Sequence, residues 1–99
     1  MKIDKRIEAG KACYAVEGRL DTTTAPELEG ELKKDMDDIT ELTLDFSKLD
    51  YISSAGLRVL LTAHKAMSKK GGSMKVTNVN EMVREVFDVT GFADILNIE

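Results

Sequence analysis

Apolar and polar positions begin to alternate at the start of the chain. Ile3, Asp4, Lys5, Arg6 and Ile7 set a period-2 pattern that stops at Ala9-Gly10-Lys11, and a second extended run covers Ala12 to Glu17. Two short runs separated by a glycine turn predict an antiparallel hairpin. The spacing then changes to three and four: Ala25, Leu28, Leu32 and Met36 form the apolar stripe of a helix. Thr22, Thr23 and Thr24 offer capping hydroxyls before it, Pro26 sits in its first turn, and Asp37-Asp38 helps to end it. Leu42, Leu44 and Phe46 alternate with Thr43 and Asp45, a strand with one apolar face. A second helix starts near Ser53 or Ser54, buries Leu57, Leu60, Leu61 and Met67, and stops at Gly71-Gly72 after Lys69-Lys70. Met74 and Val76 mark another strand. Asn78 to Asn80 turn and cap a third helix carrying Met82, Val83, Val86 and Phe87, which Gly91 closes before a short strand or turn at Ile95 to Ile98.

The order β-β-α-β-α-β-α-β is an α/β fold in which strands joined by helices run parallel with right-handed crossovers. Strands covered on both faces would read as continuous apolar runs, whereas these alternate. The expectation is a mixed sheet of four to five strands, an N-terminal hairpin followed by parallel strands, with helices mainly on one face. A length of 99 residues, 42% of them apolar and 32% charged, fits one globular domain spanning residues 1–99. A core of that size leaves little room for a deep pocket.

Charge and composition narrow the function. Fourteen basic against eighteen acidic residues leave a net charge of −4, and five aromatics without Trp make no base-stacking platform, so nucleic acid is not expected as a partner. Cys13 is alone, which leaves no internal disulfide and no thiolate cluster for a metal; its place in a strand predicts a small core or near-core side chain. The longest apolar run, Ala12 to Val16, is five residues, against the roughly 20 of a membrane helix. A soluble, cytoplasmic protein without direct membrane insertion is expected.

Catalytic chemistry finds no support. The single histidine, His64, lies ten residues after Ser54 on the same predicted helix. That separation is about 15 Å along the axis, too far for a nucleophile and base. Ser68 to Ser73 lacks the phosphate-loop pattern and follows a helix instead of preceding one. Asp35, Asp37, Asp38 and Glu41 lack calcium-loop spacing and read as a solvated turn. No catalytic residue, metal or cofactor is expected.

One stretch stands apart. Asp45-Phe46-Ser47-Lys48-Leu49-Asp50-Tyr51-Ile52-Ser53-Ser54-Ala55-Gly56-Leu57-Arg58 runs from a strand into a helix that opens with two hydroxyls. One capping serine suffices physically, at about 1 kcal/mol. The second hydroxyl stands where a helix N-terminus accommodates a phosphate.

This stretch, continued by Val59-Leu60-Leu61, resembles the signature of bacterial anti-sigma factor antagonists, single-domain members of the STAS class. Gly18-Arg19-Leu20-Asp21 with Thr24-Ala25, Gly71-Gly72, and Val86-Phe87-Asp88-Val89-Thr90-Gly91-Phe92 agree in order. The resemblance implies a switch in place of catalysis. The unphosphorylated form would bind an anti-sigma factor that is usually also a serine kinase, so releasing the sigma factor; phosphorylation would abolish binding. The family pattern Asp-Ser-Ser/Thr-Gly-Leu-Gly, aligned on Gly56-Leu57, puts the acceptor at Ser54, with Ser53 as the alternative. Ser53 takes the Asp position, Ala55 the second hydroxyl position, and Arg58 that of a frequent Gly. The implied partner surface comprises Asp21, Thr24, Ser53, Ser54, Ala55, Gly56, Leu57 and Arg58, and a phosphatase is a further implied partner. The other role open to this class is a subunit of a membrane transport or scaffold complex without the phosphoswitch.

Overall fold

The computed structural model describes residues 1–99. Strands β1 (Lys2–Glu8) and β2 (Lys11–Leu20) form the antiparallel hairpin, with Ile3 opposite Val16 and Lys5 opposite Tyr14. Helix α1 (Ala25–Asp35) continues into a 3-10 turn at Met36–Asp38, followed by β3 (Glu41–Asp45), β4 (Leu49–Ile52), α2 (Ser54–Lys69), β5 (Ser73–Thr77), α3 (Glu81–Thr90), a second 3-10 turn at Phe92–Asp94 and β6 (Asn97–Ile98). The sheet order is β1-β2-β3-β5-β6, and every pairing beyond the hairpin is parallel.

The sheet has six strands, one more than the hydrophobic pattern predicts, and the addition is β4. Residues Lys11 to Ala15 of β2 pair with β3, whereas Gly18 to Leu20 pair with β4 after a register shift at Gly18/Arg19. Strands β3 and β4 are thus successive partners of one long strand. The turn between them is held by Leu49 N–H to Phe46 O at 3.0 Å and Gly18 N–H to Lys48 O at 3.0 Å. A four-residue strand that leads directly into a helix cap carries too little alternation to be seen in one dimension.

Burial is one-sided, as the alternation requires. Ala12, Tyr14, Val16, Leu42, Leu44, Met74 and Val76 point into a core of 23 residues, and α1, α2 and α3 cover that face. The opposite face carries Cys13, which is exposed and not near-core, because a one-residue step along β2 from Tyr14 turns a side chain through the sheet. In α2 the buried set is Gly56, Leu57, Val59, Leu60, Ala63 and Met67. Leu61 is only half-buried, since it projects roughly 100° beyond Leu60 and off the centre of that stripe. Met82 of α3 is likewise 57% exposed while Val83 and Phe87 are buried.

Glycines 71 and 72 end α2 for different reasons. Gly71 adopts φ +78°, and the Gly71 and Gly72 N–H groups bond back to Ser68 O and Met67 O, closing the helix as a Schellman motif. At Gly72 a Cβ would lie 2.6 Å from Thr40 O, so the chain passes too close there for any side chain.

The buried Tyr14 carries the one polar atom that the core must satisfy. Its hydroxyl donates to Asp35 and also lies 3.0 Å from Glu31 O, and Lys5 reaches Asp35 at 2.9 Å and Glu31 at 3.0 Å. Asp35 therefore belongs to a network joining β1, β2 and α1 and not to a solvated turn. Burial, then the bond to Asp35, pushes the Tyr14 hydroxyl far up, while the Tyr14 bond followed by Lys5 holds the Asp35 carboxyl below its usual value of 3.8. A depressed carboxyl contributes stability above its unfolded pKa that is lost as pH falls through the folded one. Asp35→Asn should be less stable than wild type by about 1 kcal/mol at pH 7. The difference should shrink below pH 3.8, a trend read from urea midpoints across an acid series.

Candidate functional site at the start of the second helix

The site is assembled where two chain segments leave the sheet side by side. Leu20 pairs with Ile52 at the ends of β2 and β4, and the Ser53 N–H donates to Leu20 O at 2.9 Å. Ser53 is extended at φ −99°, ψ 176°, so its carbonyl accepts the first helical bond from Leu57 N–H at 3.0 Å and its side chain caps Gly56 N–H. This is the capping role that the sequence permits for one of its two serines. Ser54, the first helical residue, is exposed.

Gly56 sets how closely α2 approaches. A Cβ at that position would lie 2.8 Å from Ile52 Cγ1, 2.8 Å from Leu20 Cγ and 3.0 Å from Leu20 O. The glycine is required by contact, and Leu57, 5% exposed, then inserts into the core. Gly56 and Leu57, expected at the partner surface, are buried beneath the exposed first turn of α2.

The loop after β2 supplies the other wall. Asp21 Oδ1 accepts from the Thr23 N–H at 3.0 Å, the Thr24 N–H at 3.2 Å and the Thr23 hydroxyl at 2.7 Å. These bonds, that from the Thr23 hydroxyl first, hold the carboxyl below its usual range. Thr24 stands at the N-cap of α1 without a side-chain capping bond. Its hydroxyl accepts from Asp21 N–H at 2.8 Å and reaches Arg19 O at 2.8 Å. Asp21, not a threonine hydroxyl, therefore satisfies the N–H groups before α1, because a carboxylate is the stronger acceptor. Thr24 is half-buried in loop structure, and the exposed positions here are Thr22 and Thr23.

Between the two walls lies a shallow groove of about 150 Å³ lined by Thr22, Ala25, Pro26, Glu29, Ala55, Arg58 and Val59. Of the eight residues singled out in the sequence, Ala55 and Arg58 line it, and Ser54 adjoins it in the chain. Periodicity gave no sign of Arg19, whose guanidinium sits 4.3 Å from the centre of the Tyr51 ring and 3.7 Å from Asp21. The contact joins β2 to β4, and a reading that lacked β4 could not pair them. Asp45, in the same motif, accepts from Ser47 N–H at 3.0 Å and from the Asn78 side chain at 3.1 Å; those bonds, the backbone one first, lower its pKa. It ties β3 to the loop after β5. His64 stands ten residues along α2 from Ser54, about 15 Å away along the helix axis.

Comparison with known proteins agrees with this architecture. The STAS domain family model matches residues 2–99, and the chain belongs to that family. It is 36% identical over 99 residues to BtrV of Bordetella bronchiseptica, covering 99% of this chain and 85% of that protein, which is named provisionally as an anti-sigma factor antagonist. It is 32% identical over 83 residues to the anti-sigma-B factor antagonist of Bacillus subtilis, covering 84% of this chain and 76% of the relative. Among solved structures, the anti-sigma factor antagonist SpoIIAA in its unphosphorylated form superposes with a TM-score of 0.80 at 14% identity, over 99% of this chain and 87% of the other. Its phosphorylated form gives 0.79 at 15% identity, over 99% and 91%. These two likenesses concern the fold. No helix is long and apolar enough to cross a membrane.

Position and surface separate cleanly in stability. Gly56→Ala should cost about 1 to 3 kcal/mol through overpacking against Leu20 and Ile52, and Leu57→Ala about 2 to 5 kcal/mol through the cavity it leaves. Ser54→Asp should leave the urea midpoint nearly unchanged, or raise it by up to about 1 kcal/mol through the helix dipole. Unfolding by Ser54→Asp would mean that the serine is structural.

Proposed function

We infer that residues 1–99 act as one docking module, an anti-sigma factor antagonist of the cytoplasm. In this reading the unphosphorylated surface around Ser54, Ala55, Arg58 and the Asp21 to Thr24 loop binds an anti-sigma factor that is also a serine kinase, and the sigma factor is released. Phosphorylation of Ser54 ends the binding, and a phosphatase restores it. The names of the relatives support the antagonist class.

The observation that carries the choice of acceptor is the division of labour between the two serines. Ser53 is half-buried and its oxygen caps Gly56, whereas Ser54 is exposed at the first position of a helix already fixed by Ser53, Gly56 and Leu57. A kinase can reach Ser54 without unfolding the cap. A phosphate there adds about −1.5 to −2 charges to a docking surface, and binding fails by repulsion and bulk with no rearrangement of the core.

Mass-spectrometric mapping of the protein isolated from its host, with identification of what co-purifies, tests this directly. The expected result is phosphate on Ser54 and an ATP-binding kinase-fold regulator bound to the unmodified fraction. Phosphate on Ser53 alone, or co-purification with transporter subunits, would overturn the reading. Toward that regulator Ser54→Ala should bind like unmodified wild type. Ser54→Asp should bind at least about tenfold more weakly, a loss of about 1.4 kcal/mol in titration calorimetry.

A further inference from the structure

Arg58 stands one turn of α2 beyond Ser54, at the i, i+4 spacing that brings Cβ atoms to about 5 to 6 Å. Helical side chains lean toward the N-terminus of their helix, so a residue at 58 covers the turn that carries Ser54. Both side chains are exposed. Arg58 is also uncommitted. No carboxylate lies within 4 Å of its guanidinium, whereas Arg19 and Arg84 each face an acidic partner at 3.7 Å.

Three charged groups of the neighbouring loop and groove have partners of their own. Arg19 is stacked on Tyr51 and faces Asp21, and Asp21 is held by Thr23 and Thr24. Glu29 of α1 lines the same groove as Arg58 but pairs with Lys33 at 3.7 Å. The first turn of α2 carries no acidic residue of its own. A long, free, planar cation therefore stands one helical turn from an exposed hydroxyl, within reach of it.

We propose that Arg58 is the phosphate clasp of the switch: when Ser54 is phosphorylated, the guanidinium folds back one turn and makes forked hydrogen bonds to the phosphate oxygens. The geometry suits arginine, whose planar donors match a phosphate as a lysine cannot. The clasp rests on Ser54 being the acceptor, and it gives the modification two effects. It holds the phosphate down on the groove surface, where its bulk obstructs a partner. It also withdraws a free cation from any carboxylate that a partner presents to that groove. The local charge changes from +1 to between about −0.5 and −1, so attraction is lost as repulsion is gained.

Phosphoserine inserted at position 54 during translation allows a test without any kinase. The second ionisation of the phosphate is followed by phosphorus NMR in the full chain, in wild type and in Arg58→Ala, Arg58→Lys and Arg19→Ala. An exposed charge pair supports a shift of roughly half a pH unit. Arg58→Ala should therefore raise the phosphate pKa by about that much, Arg58→Lys should recover part of it, and 1 M salt should shrink the difference. Arg19→Ala should leave the value unchanged. Equal pKa values in wild type and Arg58→Ala, both shown to be folded by urea melts, would overturn the clasp, as would a shift seen in Arg19→Ala alone. Absence of phosphate on Ser54 in host-derived protein would instead sink the switch reading, and the NMR result would still decide whether Arg58 and a phosphate at 54 are coupled.

Discussion

The contact of Gly56 with the end of β2 governs the geometry of the site. Ser53 donates to Leu20 O, and the missing side chain at 56 lets the first turn of α2 lie against Leu20 and Ile52 at distances no Cβ would tolerate. Leu57 enters the core from this point, and its burial fixes the rotation of the helix about its own axis. That rotation turns Ser54 and Arg58 outward and places Ala55 and Val59 along the groove beside α1. The exposed chemistry is thus set by residues that are not exposed.

The same economy explains how a small domain can carry a switch without moving. Its core holds 23 buried apolar residues on one face of the sheet, and Tyr14 brings in a single buried hydroxyl that is fully bonded. A close-packed interior transmits change as strain and does not rearrange readily. Regulation compatible with such a core acts on the surface, through charge and bulk at a fixed position. The proposed phosphorylation of Ser54 and the proposed response of Arg58 both meet that condition, since neither requires a backbone torsion to change.

Much of this was legible in one dimension. Periods of two and of three to four marked the hairpin, three helices and two of the parallel strands, and alternation showed that one face of the sheet is uncovered, because side-chain direction in strands and helices follows directly from residue spacing. Ser53 as cap, Gly71 as helix end and Asn80 as cap of α3 followed from local backbone chemistry alone. The strand β4 was not legible, since its four residues are stabilised by pairing with the far end of β2, a partner 31 residues away at Gly18 and Leu49. Cys13 was misplaced for a related reason: alternation shows that Tyr14 and Cys13 lie on opposite faces, but only packing decides which face is covered.

The residue types at the site, two adjacent hydroxyls, an alanine, a glycine, a leucine and an arginine in consecutive order, were determined by sequence, as was their arrangement around the start of a helix. Tertiary structure decided which of them meet solvent. Gly56 and Leu57 are inside because the end of β2 lies against that turn, and Arg58 is left without an acidic partner while Glu29, which lines the same groove, pairs with Lys33. Local spacing determines direction along an element, whereas exposure and ion pairing depend on what other elements bring alongside, and those elements come from distant parts of the chain.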